Sequence, residues 1–389
     1  MDLRKRFGVS ASAAIAAVAL LAGCSSSSGN SSSSASSSDS SGAASSSAPV
    51  KVGVDLTYNN TAFWSAYINY QSQYAKQLHI KLLGPLLSAA SASLQNQQVE
   101  ELVNEGAKAV IVNPETATSL GPAISYAAAH HVKLISVDTI VGVGKVYMVV
   151  RASNLLYGLD ACAYISSVAK SGYALELEGD LTSSNGADRA NAFNACMAAN
   201  DPGVKILKDP TVWTDATAVT DAQNAVNAYG SKLKAIYSAW SSPDTGIIPL
   251  LKSKGLTGKV AVVSDDGVPF EMCDISKGLT SASQSQPANL YAYWALKYAK
   301  DAAQGMVLKA GQPGGGAPTL QPVSYQGDSN LADPIVAPFV TKTATTYKIK
   351  PVDGLPATVT TTPVTNAQLW GNVYGKAHGG VCNAAASAG

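Results

Sequence analysis

From Val50 onward the chain alternates short apolar runs with longer stretches whose apolar positions recur at helical spacing. KVGVDL (51–56), AVIVNP (109–114) and VKLISVD (132–138) have the length and β-branched content of strands, and HIKLLG (79–84) is a further apolar run. Between them AFWSAYINYQSQYAKQL (62–78), LQNQQVEELVNEG (94–106) and SLGPAISYAAAHH (119–131) read as helices, the second closing on Gly106. The pattern then restarts. YALELEG (173–179), VKILKD (204–209), AIYSAW (235–240) and KVAVVSDD (259–266) alternate with helical stretches over 186–199, 216–229 and 245–254. Strands separated by helices of this length form right-handed βαβ units, so each series predicts an α/β lobe built on a doubly wound parallel sheet.

Open parallel sheets bind ligands beyond the carboxyl ends of their strands. The loops at those ends carry Asn59, Asn60, Phe63 and Trp64 after the first strand, Asp138 after the third, and Asp188 and Arg189 after YALELEG. Trp213 follows VKILKD, Trp240 ends AIYSAW, and Asp265 and Asp266 end KVAVVSDD. Aromatic rings and opposed charges therefore collect where a cleft between two lobes would lie.

Composition narrows the function classes. The 389 residues are 46% hydrophobic and 14% charged, enough for a substantial core. The formal charge is +1, and the first 23 residues hold Arg4, Lys5 and Arg6 against Asp2, so the remainder is close to neutral and offers no basic surface for nucleic acid. After those basic residues comes an apolar run of about 14 residues and then Leu21-Ala22-Gly23-Cys24, which resembles a bacterial lipobox. Residues 1–23 are thus expected to be a lipoprotein signal peptide, with Cys24 carrying lipid and 24–49 serving as a Ser-rich tether. Such a tether spans roughly 25–30 Å.

Four other cysteines remain, and in an oxidising compartment they favour two disulfides out of three possible pairings. Cys162 with Cys196 and Cys273 with Cys382 is the preferred arrangement, the first joining two helical stretches of one lobe and the second holding down a long tail. The four histidines are scattered and no CxxC occurs, so neither metal nor cofactor is expected. Gly142 and Gly144 do not open a helix within a GxGxxG pattern, which argues against a phosphate loop.

NNTAFW (59–64), SVDT (136–139), ADRANAF (187–193), KDPTVWTDAT (208–217), AIYSAWSSPDTG (235–246), VVSDDGVPFEMCDISKG (262–278) and SASQSQP (281–287) together resemble the type I periplasmic binding proteins, in particular the ribose-binding branch that serves sugar transporters. The resemblance covers about 50–310. It implies a ligand site of Asn60, Phe63, Trp64, Asp138, Arg189, Trp213, Trp240, Asp266 and Gln284, with Ser285 the alternative at the last position. Thr139 stands where the ribose binders have an Arg, and Trp240 where they present an Asn, so the pocket should be more aromatic than a pentose site. The same resemblance implies a hinge and a domain plan: 50–152 plus 286–318 in one lobe, 153–285 plus 319–345 in the other, and 346–389 as an extension docking a surface helix through Leu369, Trp370 and Tyr374.

Physically, Trp64 and Trp213 on opposite lobes could sandwich the C–H faces of a sugar while Asp138, Asp266 and Arg189 grip its hydroxyls. The expected protein is a monomeric, lipid-anchored, extracytoplasmic receptor that delivers a carbohydrate or polyol to an ABC permease. An alternative keeps the fold but has it sense a non-sugar signal for a receptor kinase. Each site residue also has a structural alternative: the two Asp as helix N-caps, Arg189 paired with Asp188, the aromatics as core. A glycosidase built on Asp138 and Asp266 is disfavoured because Arg189 between them would lower both pKa values, whereas catalysis needs one acid raised. A repressor of the same fold is disfavoured by the absence of a helix-turn-helix before residue 50.

Overall fold

The computed structural model describes residues 48–307, 339–343, 346–348 and 358–383. The expected signal segment, Cys24, nearly all of the tether and the GQPGGG loop at 311–316 lie outside the described residues. The first series folds as β1 (Val50–Leu56), α1 (Ala62–Gln77), β2 (Ile80–Leu87), α2 (Ala92–Asn104), β3 (Ala109–Val112), α3 (Gly121–Ala129), β4 (Lys133–Val137) and β5 (Met148–Val150). Its sheet runs β2-β1-β3-β4-β5 with every neighbour parallel. AVIV of β3 is buried at all four positions, as a strand covered on both faces must be. Local chemistry sets the helix ends: the Thr61 hydroxyl accepts from Trp64 N at 3.1 Å to start α1, and Gly106, at φ 91°, follows the end of α2.

The second series comprises α4 (Asn154–Val168), β6 (Gly172–Glu178), α5 (Ser184–Asn200), β7 (Val204–Pro210), α6 (Asp215–Tyr229), β8 (Leu233–Ser238), α7 (Asp244–Ser253), β9 (Ala261–Asp266), α8 (Pro269–Lys277) and β10 (Ala282–Ser285). Its strands β7-β6-β8-β9-β10 are parallel and repeat the order of the first sheet. The fold is therefore α/β with two doubly wound parallel-sheet lobes. The short strand β5 and the helices α4 and α8 complete what the apolar pattern had left undivided. The chain then returns to the first lobe as α9 (Ala288–Ala303), whose Leu290, Tyr291, Trp294 and Leu296 join the core under β1, β3 and β4.

The tail is more deeply integrated than a surface extension. β11 (Phe339–Thr341) pairs antiparallel with β10, β13 (Thr358–Pro363) pairs parallel with β11, and β12 (Thr346–Lys348) pairs with β13, lengthening the second sheet to eight strands. The final helix α10 (Trp370–Ala377) packs through Leu369, Trp370 and Tyr374, which are buried among the aromatic residues of α1 and the apolar residues of α8. Both expected disulfides are present, Cys162–Cys196 joining α4 to α5 and Cys273–Cys382 joining α8 to the tail.

Candidate functional site

A cavity of about 520 Å³ opens between the carboxyl ends of the two sheets, within the size range of small-molecule sites. The Thr61 cap places the first turn of α1 at its edge, so Asn60, Phe63 and Trp64 all line it. Asn60 is exposed, while Phe63 and Trp64 are buried with their rings edge-on, centroids 5.0 Å apart. Asp138 follows β4 in the left-handed region at φ 70°. Its two carboxylate oxygens accept from second-lobe Asn185 at 2.5 Å and from Gln286 at 2.9 Å, so this acid ties the lobes together while it lines the cavity.

The second lobe contributes a denser polar network. Arg189, on α5, donates through Nε to Asn154 Oδ1 at 2.6 Å, through Nη1 to the Ala239 carbonyl, and through Nη2 to Gln286 Oε1 at 2.8 Å. It also pairs with Asp265 at 3.4 Å and lies over the Tyr157 ring at 4.5 Å. Asp266, at φ 110°, accepts from Ser241 N at 3.0 Å and Ser241 Oγ at 2.7 Å through Oδ2. Trp213, also at positive φ, sits edge-on to Trp240 with centroids 5.5 Å apart, and Trp240 Nε1 donates to Asp215 at 2.8 Å. Gly179 is what allows this: a Cβ there would collide with the Trp213 ring.

Burial dominates the electrostatics. Desolvation pushes Asp266 up to about 6 against the opposing pull of Arg189, and Asp265 up to about 7 against the same cation. Asp138 is also raised by desolvation, with Arg189 opposing. This reverses the electrostatic expectation that Arg189 would hold Asp138 and Asp266 low, because both carboxyls are buried and desolvation outweighs the cation. Glu115, Asp180 and Asp215 also border the cavity, giving it many hydrogen-bond acceptors and one guanidinium.

Eight of the nine expected residues line this cavity: Asn60, Phe63, Trp64, Asp138, Arg189, Trp213, Trp240 and Asp266. Gln284 does not. It lies inside β10, paired in the sheet with Asp265 and Phe339, whereas Gln286, just beyond the strand end, is the glutamine that reaches the cavity. Arg189 pairs with Asp265 rather than Asp188, which is taken by the buried Arg151 at 2.9 Å. Sequence reasoning missed Asn185, Asp215, Gln286 and Arg151. Asn185 and Asp215 open helices after strands and could have been sought there; Arg151 follows β5, a three-residue strand with too little pattern to detect.

The profile of the periplasmic binding protein domain matches residues 52–306, about two thirds of the chain. The chain belongs to this family. The periplasmic binding proteins of this type bind solutes and are not enzymes, and the chain has their two-lobed type I fold. The xylitol-binding protein of Mycolicibacterium smegmatis is 25% identical over 230 residues, 59% of this chain and 65% of that protein. The chain thus spans just under two thirds of that relative's length. The D-xylose-binding periplasmic protein of Escherichia coli is 24% identical over 56% of this chain and 67% of its own length. Among solved structures, a Caulobacter myo-inositol binding protein with myo-inositol bound superposes with a TM-score of 0.62 at 24% identity, over 67% of this chain and 90% of that one. Among the described residues no helix is long and apolar enough to cross a membrane, and no cluster of three or more His, Cys, Asp or Glu is placed to hold a metal ion.

Proposed function

We propose that the protein captures a sugar or sugar-like polyol between its lobes and delivers it to an ABC importer, held at the outer face of the membrane as a monomer by lipid on Cys24. The observation that carries this reading is the cavity itself, lined by Trp64 from the first lobe, Trp213 from the second and the Arg189–Asp266–Gln286 group beside them. Indole faces suit the C–H faces of a hydroxylated ring, and buried carboxylates and a guanidinium suit its hydroxyls. A ligand lacking a hydroxyl would forgo a hydrogen bond to this set while still displacing the water around it, which gives selectivity. The names of the xylitol- and xylose-binding relatives support the same ligand class. Closing the lobes around the ligand would create the form that a permease reads. In that motion 50–152 moves with 286–307, and 153–285 moves with the strands that extend its sheet.

A thermal-shift screen against xylitol, D-xylose, D-ribose and myo-inositol tests the reading, since a ligand that binds only the folded state raises the melting midpoint by mass action. At least one sugar or polyol is expected to raise it in a concentration-dependent way. A flat response across a broad sugar and polyol panel, with a shift from a chemically unrelated compound, would overturn it. Export and lipidation are checked separately by the Cys24→Ser variant, which should lose membrane association while its soluble form still binds.

A further inference from the structure

Residues 364–383 lie beyond the stretch matched by the family profile, yet they reach the back of the ligand site. Trp370, 2% exposed, donates its indole N–H to the Asp266 carbonyl at 3.0 Å. That carbonyl also accepts the Gln286 backbone N–H at 2.9 Å. Asp266 and Gln286 both line the cavity, and Gln286 bridges first-lobe Asp138 to second-lobe Arg189. Asp266 holds φ 110°, a conformation that a residue with a side chain keeps only when its surroundings enforce it.

The other contacts of the segment converge on the same place. The Trp370 ring is edge-on to the cavity residue Phe63, centroids 6.2 Å apart. Gly371 packs so tightly on the Gly267 carbonyl that a Cβ would collide with it. Tyr374 accepts from Asn69 of α1 at 3.2 Å, and Cys382 is bonded to Cys273 of α8. The segment thus touches both lobes, with Trp370 and Gly371 seated on the turn that carries Asp266.

We propose that this C-terminal segment is part of the binding site and that Trp370 is a positioning residue, fixing the Asp266 carbonyl and through it the placement of Asp266 and Gln286. Trp370 touches no ligand. It acts by holding a backbone turn, which the ring of a phenylalanine would fill without anchoring.

The test is amide hydrogen exchange on the full mature chain without ligand, comparing Trp370→Phe with the native protein. Exchange in peptides covering 264–267 and 284–290 should rise about fivefold, the scale of one lost hydrogen bond, while peptides over 204–229 stay unchanged. Unchanged exchange at 284–290, or an equal rise everywhere, would overturn the proposal by reducing Trp370 to general packing. Should Trp370→Phe fail to fold, Gly371→Ala displaces the segment while keeping the indole, with the same expectation. A second arm rests on the proposed function: by calorimetry xylitol should bind the Trp370→Phe variant about tenfold more weakly than the native protein, and equal affinity would overturn the positioning role. If native protein binds no xylitol, that counts against the polyol reading, while the exchange result still decides the role of Trp370.

Discussion

On the first-lobe wall of the cleft, Phe63 and Trp64 pack edge-on against other rings and Asn60 is exposed, whereas on the second-lobe wall Arg189, Asp265, Asp266 and Ser241 form a network in which each group holds another. The first wall supplies shape and apolar area. The second supplies fixed polar groups whose positions are set before any ligand arrives. Asp138 and Gln286 sit at the seam, where Asp138 accepts from second-lobe Asn185 and Gln286 accepts from second-lobe Arg189. On the proposed function, selectivity would come mainly from the second wall, which also brings the Trp213–Trp240 pair, while the first adds apolar area. Mutations on the two walls should then fail in different ways.

The largest effect is expected from Arg189→Ala. It takes a buried donor from Asn154, the Ala239 carbonyl and Gln286 as well as the partner of Asp265, 1% exposed, so urea unfolding should show a loss of about 3–5 kcal/mol together with abolished sugar binding. Normal stability with lost binding would make Arg189 a ligand group alone and break the picture of a self-supporting second wall. Trp213→Ala comes next, weakening affinity roughly ten- to hundredfold in calorimetry. Sequence reasoning would leave its stability almost untouched. The contact with Trp240 instead implies a loss of about 1–2 kcal/mol, less than for a fully buried ring. Gly179→Ala is a subtler form of the same test: the new methyl must push the Trp213 ring aside, so affinity should drop about fivefold with the circular dichroism spectrum unchanged.

The smallest effect is a pH dependence. Asp266 at about 6 and Asp265 at about 7 both sit above their ordinary value of 3.8, so the folded state binds more protons than the unfolded one between those limits. Their contribution to stability is present in full below the unfolded value and is lost as pH rises through the folded values. Scanning calorimetry of the unliganded protein should therefore show a midpoint that falls by a few degrees between about pH 4.5 and 7.5. A midpoint that rises over this range would mean that ion pairing with Arg189, not burial, governs these carboxyls.

Much of the cavity lining was legible because the open end of a parallel α/β sheet lies at its strand ends, and strand ends can be found by where apolar runs stop. Trp213, Trp240 and Asp266 are all of that kind. Gln284 misled because SQSQ offers two glutamines of the same parity, two residues apart, and the choice depends on where β10 ends. Periodicity does not mark that point. Arg151 and the partner of Arg189 were not legible either, since an ion pair is chosen by distance in space and Asp188 is only the neighbour in sequence. For a related reason the depth at which the last helix packs was not legible: an amphipathic helix with Trp370 and Tyr374 reads the same whether it lies on a surface or plugs an interior.

By itself the sequence determined the two βαβ series, the parallel sheets they form, the cysteines available for pairing and the residue types that gather beyond the strands. These follow from local spacing of apolar positions and from turn chemistry, which act over a few residues at a time. Only the tertiary structure decided that Asp138 links the lobes, that burial outweighs Arg189 in setting the carboxyls, and that Trp370 stands behind Asp266. Those outcomes depend on which groups exclude water from one another, and desolvation is a property of the packed whole that no stretch of chain carries alone.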